Sequence, residues 1–257
     1  MTTPDTSENP GTGTSDTGAV PSGSGGPVAT VADLVAWLRR GSELLSEHAA
    51  ELSELDAAIG DGDHGTNMKR GFAAVVAAVD GAEFATVDEL MKKVGSTLVS
   101  TVGGASGPLY GTFFLRLGTS QKGVEALDVH ALGAALQAGV DGISQRGKAM
   151  LGEKTMLDAW IPALDAYQRA ADSLPTAIRA GADAAEQGRA DSAALEARKG
   201  RASYLGERSV GHVDPGAAST ALLWQAMVET IADSAPSGTD SSRVAGFDLA
   251  GDEAATS

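Results

Sequence analysis

Apolar residues recur three and four positions apart through most of this chain, and that spacing restricts it to packed helices. Val31, Leu34, Val35 and Leu38 set the pattern, Leu44, Leu45, Leu52 and Leu55 continue it, and Thr30 or Asp33 stands where a cap belongs. Side chains so spaced lie on one face of a helix and must be buried against other helices. Ala-rich stretches of the same kind cover 66–80, 86–101, 108–119, 128–145, 155–171, 174–188, 191–198 and 216–234. Sustained period-two alternation of β-branched residues is missing, so the expectation is an all-α domain over residues 30–234. A chain of 257 residues is long enough to bury one sizeable core, and no period of 20 to 50 residues suggests a solenoid.

Residues 1–29 are mostly Gly, Ser, Thr, Pro and Asp, with too little apolar surface to offset the entropy of ordering. They are expected to be a disordered tail, and residues 235–257 a flexible C-terminal one. Neither a basic and apolar leader nor a run of 18 apolar residues is found, which points to the cytoplasm and away from membranes. Without cysteine, any metal must take oxygen or imidazole ligands. With 34 acidic against 19 basic residues, a net charge of -15 argues against nucleic acid as a partner. An anionic ligand would need a local cation or free backbone amides.

Chemistry is therefore sought in the Gly- and Asp-bearing loops between helices. Asp56, Asp61 and Asp63 lie within LDAAIGDGDHGTN. Brought together they would repel, and a divalent cation removes the conflict. Mg²⁺ takes hard oxygen donors and completes its shell with phosphate oxygens and water, so a few carboxylates suffice. Gly60, Gly62 and Gly65 let the backbone turn sharply enough to aim alternate side chains at one point. Turn and N-cap roles explain the same residues. A calcium EF-hand does not, because Gly65 replaces a ligand and Phe72 stands where the bidentate Glu belongs.

GGASG at 103–107 separates two helices, and amides at Gly104, Ala105 and Ser106 could receive a phosphate; a simple interhelical turn is the alternative. Residues 142–148 read G-x-x-x-x-G-K, yet Ala149 lacks the metal-binding hydroxyl and the preceding LGAALQAGV is helical, so a P-loop is rejected. Gly147 then reads as a helix C-cap and Met156 as core. GRASYLGERSVGHVDPGAAST brings Arg201, Arg208, His212 and Asp214 toward another helix start. Arg could neutralise phosphate; Asp214 could bind a ribose or cap the last helix. His64 and His212 are candidates for phosphate contact or for ordinary loop residues.

Taken together, LDAAIGDGDHGTNM, GGASGPLYGTFF, GEKTMLDAW and GRASYLGERSVGHVDPGAAST resemble the L subunit of dihydroxyacetone kinase (DhaL) and the nucleotide domain of the ATP-dependent form. The resemblance implies a closed barrel of about eight antiparallel amphipathic helices, with a nucleotide in the loops at one rim. Asp56, Asp61 and Asp63 would hold two Mg²⁺ on the phosphates of ADP or ATP. His64, Gly65, Thr66 and Asn67 would line the phosphate and sugar region, and Ala105 and Ser106 the phosphate turn. Gly147 and Met156 would meet the base, Arg201 the nucleotide edge, and Asp214, Pro215 and Gly216 the sugar side.

The implied chemistry is phosphoryl transfer to dihydroxyacetone carried on a histidine of a partner K subunit, so a general base is not required here. A free-standing chain is similar to the sugar-phosphotransferase-dependent type, whose resident ADP is recharged by a phosphohistidine carrier of M type. A homodimer is a further expectation. The alternatives are an ATP-using kinase domain for another acceptor, as in the related fatty-acid kinase, an ADP-sensing module without catalysis, and a plain helical interaction domain.

Overall fold

The computed structural model describes residues 26–234. The expectations for 1–25 and 235–257 lie outside the described residues. Nine α-helices fill this span: α1 Val31–Glu47, α2 Ala49–Ile59, α3 His64–Val79, α4 Val87–Thr101, α5 Ser106–Ser120, α6 Val129–Gly147, α7 Leu157–Arg169, α8 Leu174–Asp191 and α9 Pro215–Met227. Two-residue strands, β1 Ala29–Thr30 and β2 Ala126–Leu127, pair antiparallel and clip the start of α1 to the α5–α6 connection. Ala29, assigned to the tail by composition, is buried in that clip.

Local signals account for the helix starts. Thr30 and Asp33 form a reciprocal capping box on α1, and Asp128, Ser173 and Asp214 cap α6, α8 and α9 through their side chains. Each helix then buries its apolar stripe on its neighbours. α1 packs on α3, and α4 to α9 follow in order around a circle that closes when α9 returns to α1. Eight helices thus form the ring, and α2 lies against α3 and α9.

Aromatic rings fill the interior. Trp37 of α1, Phe72 of α3 and Phe113 all stack on or edge against Phe114 of α5, with centroids 5.7, 6.3 and 5.1 Å away. Phe113 meets Trp160 of α7 at 4.4 Å, and Trp160 and Tyr167 meet Trp224 of α9 at 5.7 and 6.1 Å. The odd-numbered ring helices therefore share one continuous aromatic core.

Two helical expectations are corrected. The pattern from Thr30 to Leu55 is broken at His48, where the chain turns from α1 into α2. The helix expected over 191–198 does not form. α8 ends at Asp191, a single 3₁₀ turn covers Ser192–Ala194, and Leu195 is extended. The backbone here is satisfied by tertiary partners in place of helical ones: the Ala197 amide donates to Ser209 Oγ, the Arg198 amide to the Glu153 carbonyl, and Lys154 donates to the carbonyls of Ser192, Ala193 and Leu195. The Gly-rich stretch beyond, expected to be an open loop, contains 3₁₀ turns over Arg201–Ser209 with a kink at Gly206.

Phe114 is fully buried at the centre of this core. Phe114→Ala is expected to lower unfolding free energy by about 3–5 kcal/mol, read from urea denaturation; a loss below about 1 kcal/mol would show that the ring does not depend on the aromatic interior.

Candidate functional site

Ring closure gathers four helix-end segments around a cavity of about 650 Å³. The α2–α3 loop supplies Asp56, Gly60, Asp61, Asp63 and His64; the α4–α5 loop supplies Gly103 to Ser106. The end of α6 and the loop after it add Arg146, Gly147 and Lys154 to Leu157, while Lys199 to Ala202 and Asp214 to Gly216 close the far side.

The α2–α3 loop is built around one carboxylate. Asp56, in the last turn of α2, accepts hydrogen bonds through Oδ2 from the amides of Asp63 and His64 at 2.8 and 3.1 Å. That folds the loop back and brings oxygens of Asp56, Asp61 and Asp63 within 4.8 Å of one another. Gly62, at φ +76°, makes the turn between the last two. Three hard oxygen donors at this spacing suit a Mg²⁺-sized cation. Arg201 Nη2 stands 3.1 Å from Asp61 Oδ2 and offsets part of the charge.

His64, at the first turn of α3, is buried between two hydroxyls, Ser219 Oγ at 2.9 Å from Nε2 and Ser106 Oγ at 3.2 Å from Nδ1. Burial holds its imidazole down at about 4, outweighing the pull of Asp56 and Asp63. It is a neutral strut, and it ties the starts of α3, α5 and α9 together. Tyr110 extends the network to Ser219 and Thr220, and burial raises its phenol to about 12.

Three helices that start at the cavity, α3, α5 and α7, carry no side-chain cap. The first amides of α3 and α7 are nonetheless taken, His64 by Asp56 Oδ2 and Leu157 by Thr155 Oγ1, so the start of α5 at Ser106 is the one of the three that is open to an anion. α9 differs: Asp214 Oδ2 accepts from the Ala217 amide at 2.7 Å, so the residue is the helix cap, and it lines the cavity as well. Burial pushes this carboxyl up to about 7. The side walls include Ile59, Leu109, Ile143 and Leu157, an apolar surface fit for a flat ring.

Twelve sequence-derived candidates therefore meet: Asp56, Asp61, Asp63, His64, Ala105, Ser106, Gly147, Met156, Arg201, Asp214, Pro215 and Gly216 all line the cavity. Gly65, Thr66 and Asn67 stand behind it. A Cβ on Gly65 would lie 1.9 Å from the Ala49 carbonyl, so its role is the close approach of α3 to α2. Asn67 accepts from Arg70 and lies against Gly103, and Thr66 is exposed. Gly147 is the last residue of α6, and the left-handed cap falls on Lys148 instead. Met156 is both buried and cavity-lining. Arg208 and His212 are absent from the lining.

Lys154, Arg146 and Lys199 were missed. A lone basic residue in a loop carries no periodic signal, and only the fold reveals that Lys154 is buried. Ile143 and Leu109 fall within the predicted helices 128–145 and 108–119, where nothing local marks them as cavity-facing.

The DAK2 domain family matches residues 58–229. The chain is 47% identical over 206 residues to the "PTS-dependent dihydroxyacetone kinase, ADP-binding subunit DhaL" of Lactococcus lactis, covering 79% of this chain and 99% of that protein. It is 42% identical to the Escherichia coli "PEP-dependent dihydroxyacetone kinase, ADP-binding subunit DhaL", over 75% of this chain and 93% of that one. The solved dihydroxyacetone kinase of C. freundii in complex with AMP-PNP and Mg²⁺ has a similar fold, with a TM-score of 0.59 and 26% identity over 86% of this chain and 38% of that one.

The loop geometry separates two carboxylates by substitution. Asp61 is exposed and makes only the Arg201 contact, so Asp61→Asn is expected to weaken Mn²⁺ binding without moving the unfolding midpoint. Asp56→Ala is expected to weaken Mn²⁺ binding and also to lower stability, by about 1 kcal/mol for each loop amide that loses its acceptor. Mn²⁺ titration by electron paramagnetic resonance alongside thermal denaturation distinguishes them.

Proposed function

This chain belongs to the DAK2-domain family, and on that premise we propose that it is the nucleotide-bearing subunit of a dihydroxyacetone kinase. In this reading it passes a phosphoryl group from a Mg-bound adenine nucleotide to dihydroxyacetone held on a partner K subunit. The observation that carries the reading is the convergence of four separated segments on one cavity with three kinds of wall. Carboxylates serve a metal, the open start of α5 serves phosphate, and apolar side chains serve a base.

Asp56, Asp61 and Asp63 are the residues that would hold Mg²⁺, two ions in this proposal, and their donor chemistry fits. When bound, Mg²⁺ neutralises charge on the phosphates during transfer. The chain's own groups do the rest. The amides of Ala105 and Ser106, at the start of α5, orient the terminal phosphate, and His64 fixes that turn through the Ser106 hydroxyl. Gly147 and Met156 bound the base beside Leu109 and Ile143. Asp214, Pro215 and Gly216 flank the sugar, and Arg201 turns from Asp61 toward the nucleotide edge.

No proton acceptor for the substrate hydroxyl is assigned to this chain. His64, the nearest candidate, is neutral but has both ring nitrogens committed to hydroxyls. Such a base belongs to the partner that holds the acceptor. Alignment with free-standing ADP-binding subunits over nearly their whole length supports resident ADP, recharged by a phosphohistidine carrier of M type, over freely exchanging ATP. A cytoplasmic location fits this reading, and no described helix is long and apolar enough to cross a membrane.

Purified protein is expected to retain ADP with Mg²⁺ on native mass spectrometry, and Asp61→Ala to abolish retention. Mg-ADP at about 100 times its Kd should add about 2.7 kcal/mol to stability. Absence of adenine-nucleotide binding at every Mg²⁺ concentration would overturn the reading.

A further inference from the structure

We propose that Lys154 is a positioning residue of this site, whose ammonium sets the spacing between the loop bearing Met156 and the segment bearing Arg201 and Asp214. The proposal rests on the nucleotide reading above. Lys154 is 2% exposed, and it takes φ +59°, a left-handed conformation that side chains other than Gly seldom adopt. A buried cation on a strained backbone persists only where its surroundings over-determine it.

The surroundings do so through hydrogen-bond stoichiometry. An ammonium has three N–H donors. Nζ of Lys154 donates to the carbonyls of Ser192, Leu195 and Ala193 at 2.7, 3.0 and 3.4 Å. No donor is left for a ligand, although the residue lines the cavity. Lys154 therefore acts through the 192–195 turn, which lies at the C-terminal end of α8, where a cation is favoured. Burial disfavours the charge on Lys154, and the nearby Asp214 and Asp158 side chains oppose that effect.

That turn is the anchor of the far wall. The Asp214 amide donates to Ser192 Oγ at 2.9 Å, and the Gly211 amide to the Ala193 carbonyl at 2.8 Å. The 211–214 end of the segment is thus tied to the turn that Lys154 holds, through one of its carbonyls at Gly211 and through the Ser192 hydroxyl at Asp214. A second strap runs beside it: the Arg198 amide donates to the Glu153 carbonyl at 3.1 Å, and Lys199 Nζ lies 3.5 Å from the Glu153 carboxylate. On the other side Asp158 accepts from the amides of Gly152 and Thr155, which fixes the loop that presents Met156. One ammonium thereby joins two loops that would face opposite sides of a nucleotide. The carboxylate trio, on the α2–α3 loop, has no part in these bonds.

Lys154→Met is expected to raise the Kd of Mg-ADP about ten- to hundredfold, the range for residues that orient ligating groups, while Mn²⁺ alone binds as in the wild type. A double-mutant cycle with Arg201→Ala supplies a readout that general destabilisation would not move. If Lys154 places Arg201, the two losses are strongly non-additive; additive losses overturn the proposal. Should Lys154→Met fail to fold, Lys154→Arg retains the positive charge at the end of α8 but offers a planar fork to three convergent carbonyls. It is expected to fold and still bind Mg-ADP more weakly, and wild-type affinity in it would overturn the proposal. Equal loss of Mn²⁺ and Mg-ADP binding would also overturn it. Failure of the wild-type protein to bind Mg-ADP counts instead against the nucleotide reading.

Discussion

The closure of the helical ring by α9 is the constraint on which the site depends. α9 is buried along most of its length, and Trp37 of α1 donates its indole N–H to the Leu223 carbonyl at 2.8 Å across the junction. The same closure seats Ser219 against His64, bringing residues 155 apart in sequence to 2.9 Å. Without it, Asp214 to Gly216 would have no fixed relation to the α2–α3 loop. The cavity is thus a tertiary product made from residues at both ends of the domain, and such non-local pairing is expected to form late in folding.

Electrostatics explain why the site is shaped as it is. The chain as a whole is strongly acidic, yet Arg146, Lys154, Lys199 and Arg201 all line this one cavity. Three of the facing carboxylates are brought together by the Asp56 hydrogen bonds, an oxygen-donor set that would suit a divalent cation. Lys154 is used differently, as internal scaffolding. A cation in the wall and a cation bound by the wall have separate origins, and the proposed nucleotide would span both regions.

Much of the architecture was legible because it is periodic. Apolar spacing located most of the ring helices, and turn chemistry located the loops that line the cavity. The break at His48 was not legible, since Leu52 and Leu55 continue the stripe across it. Nor was the loss of helix after Asp191, where the backbone partners are supplied by residues distant in sequence, among them Lys154, 38 residues away. Within the site, Asp56, Asp61 and Asp63 stood out by type and spacing. Gly65 was read as a turn residue and Asn67 was expected only from the family resemblance, and the structure places both behind the lining, because local sequence does not say which side of a loop a residue serves.

The central claim is that one cavity holds a metal on Asp56, Asp61 and Asp63 and a nucleotide phosphate on that metal. Electron–nuclear double resonance on the Mn²⁺-loaded protein with ADP tests it most directly. The account predicts ³¹P hyperfine coupling from the ADP phosphates to protein-bound Mn²⁺, lost when Asp61 is replaced. A bound Mn²⁺ showing only water coupling in the presence of saturating ADP would contradict it.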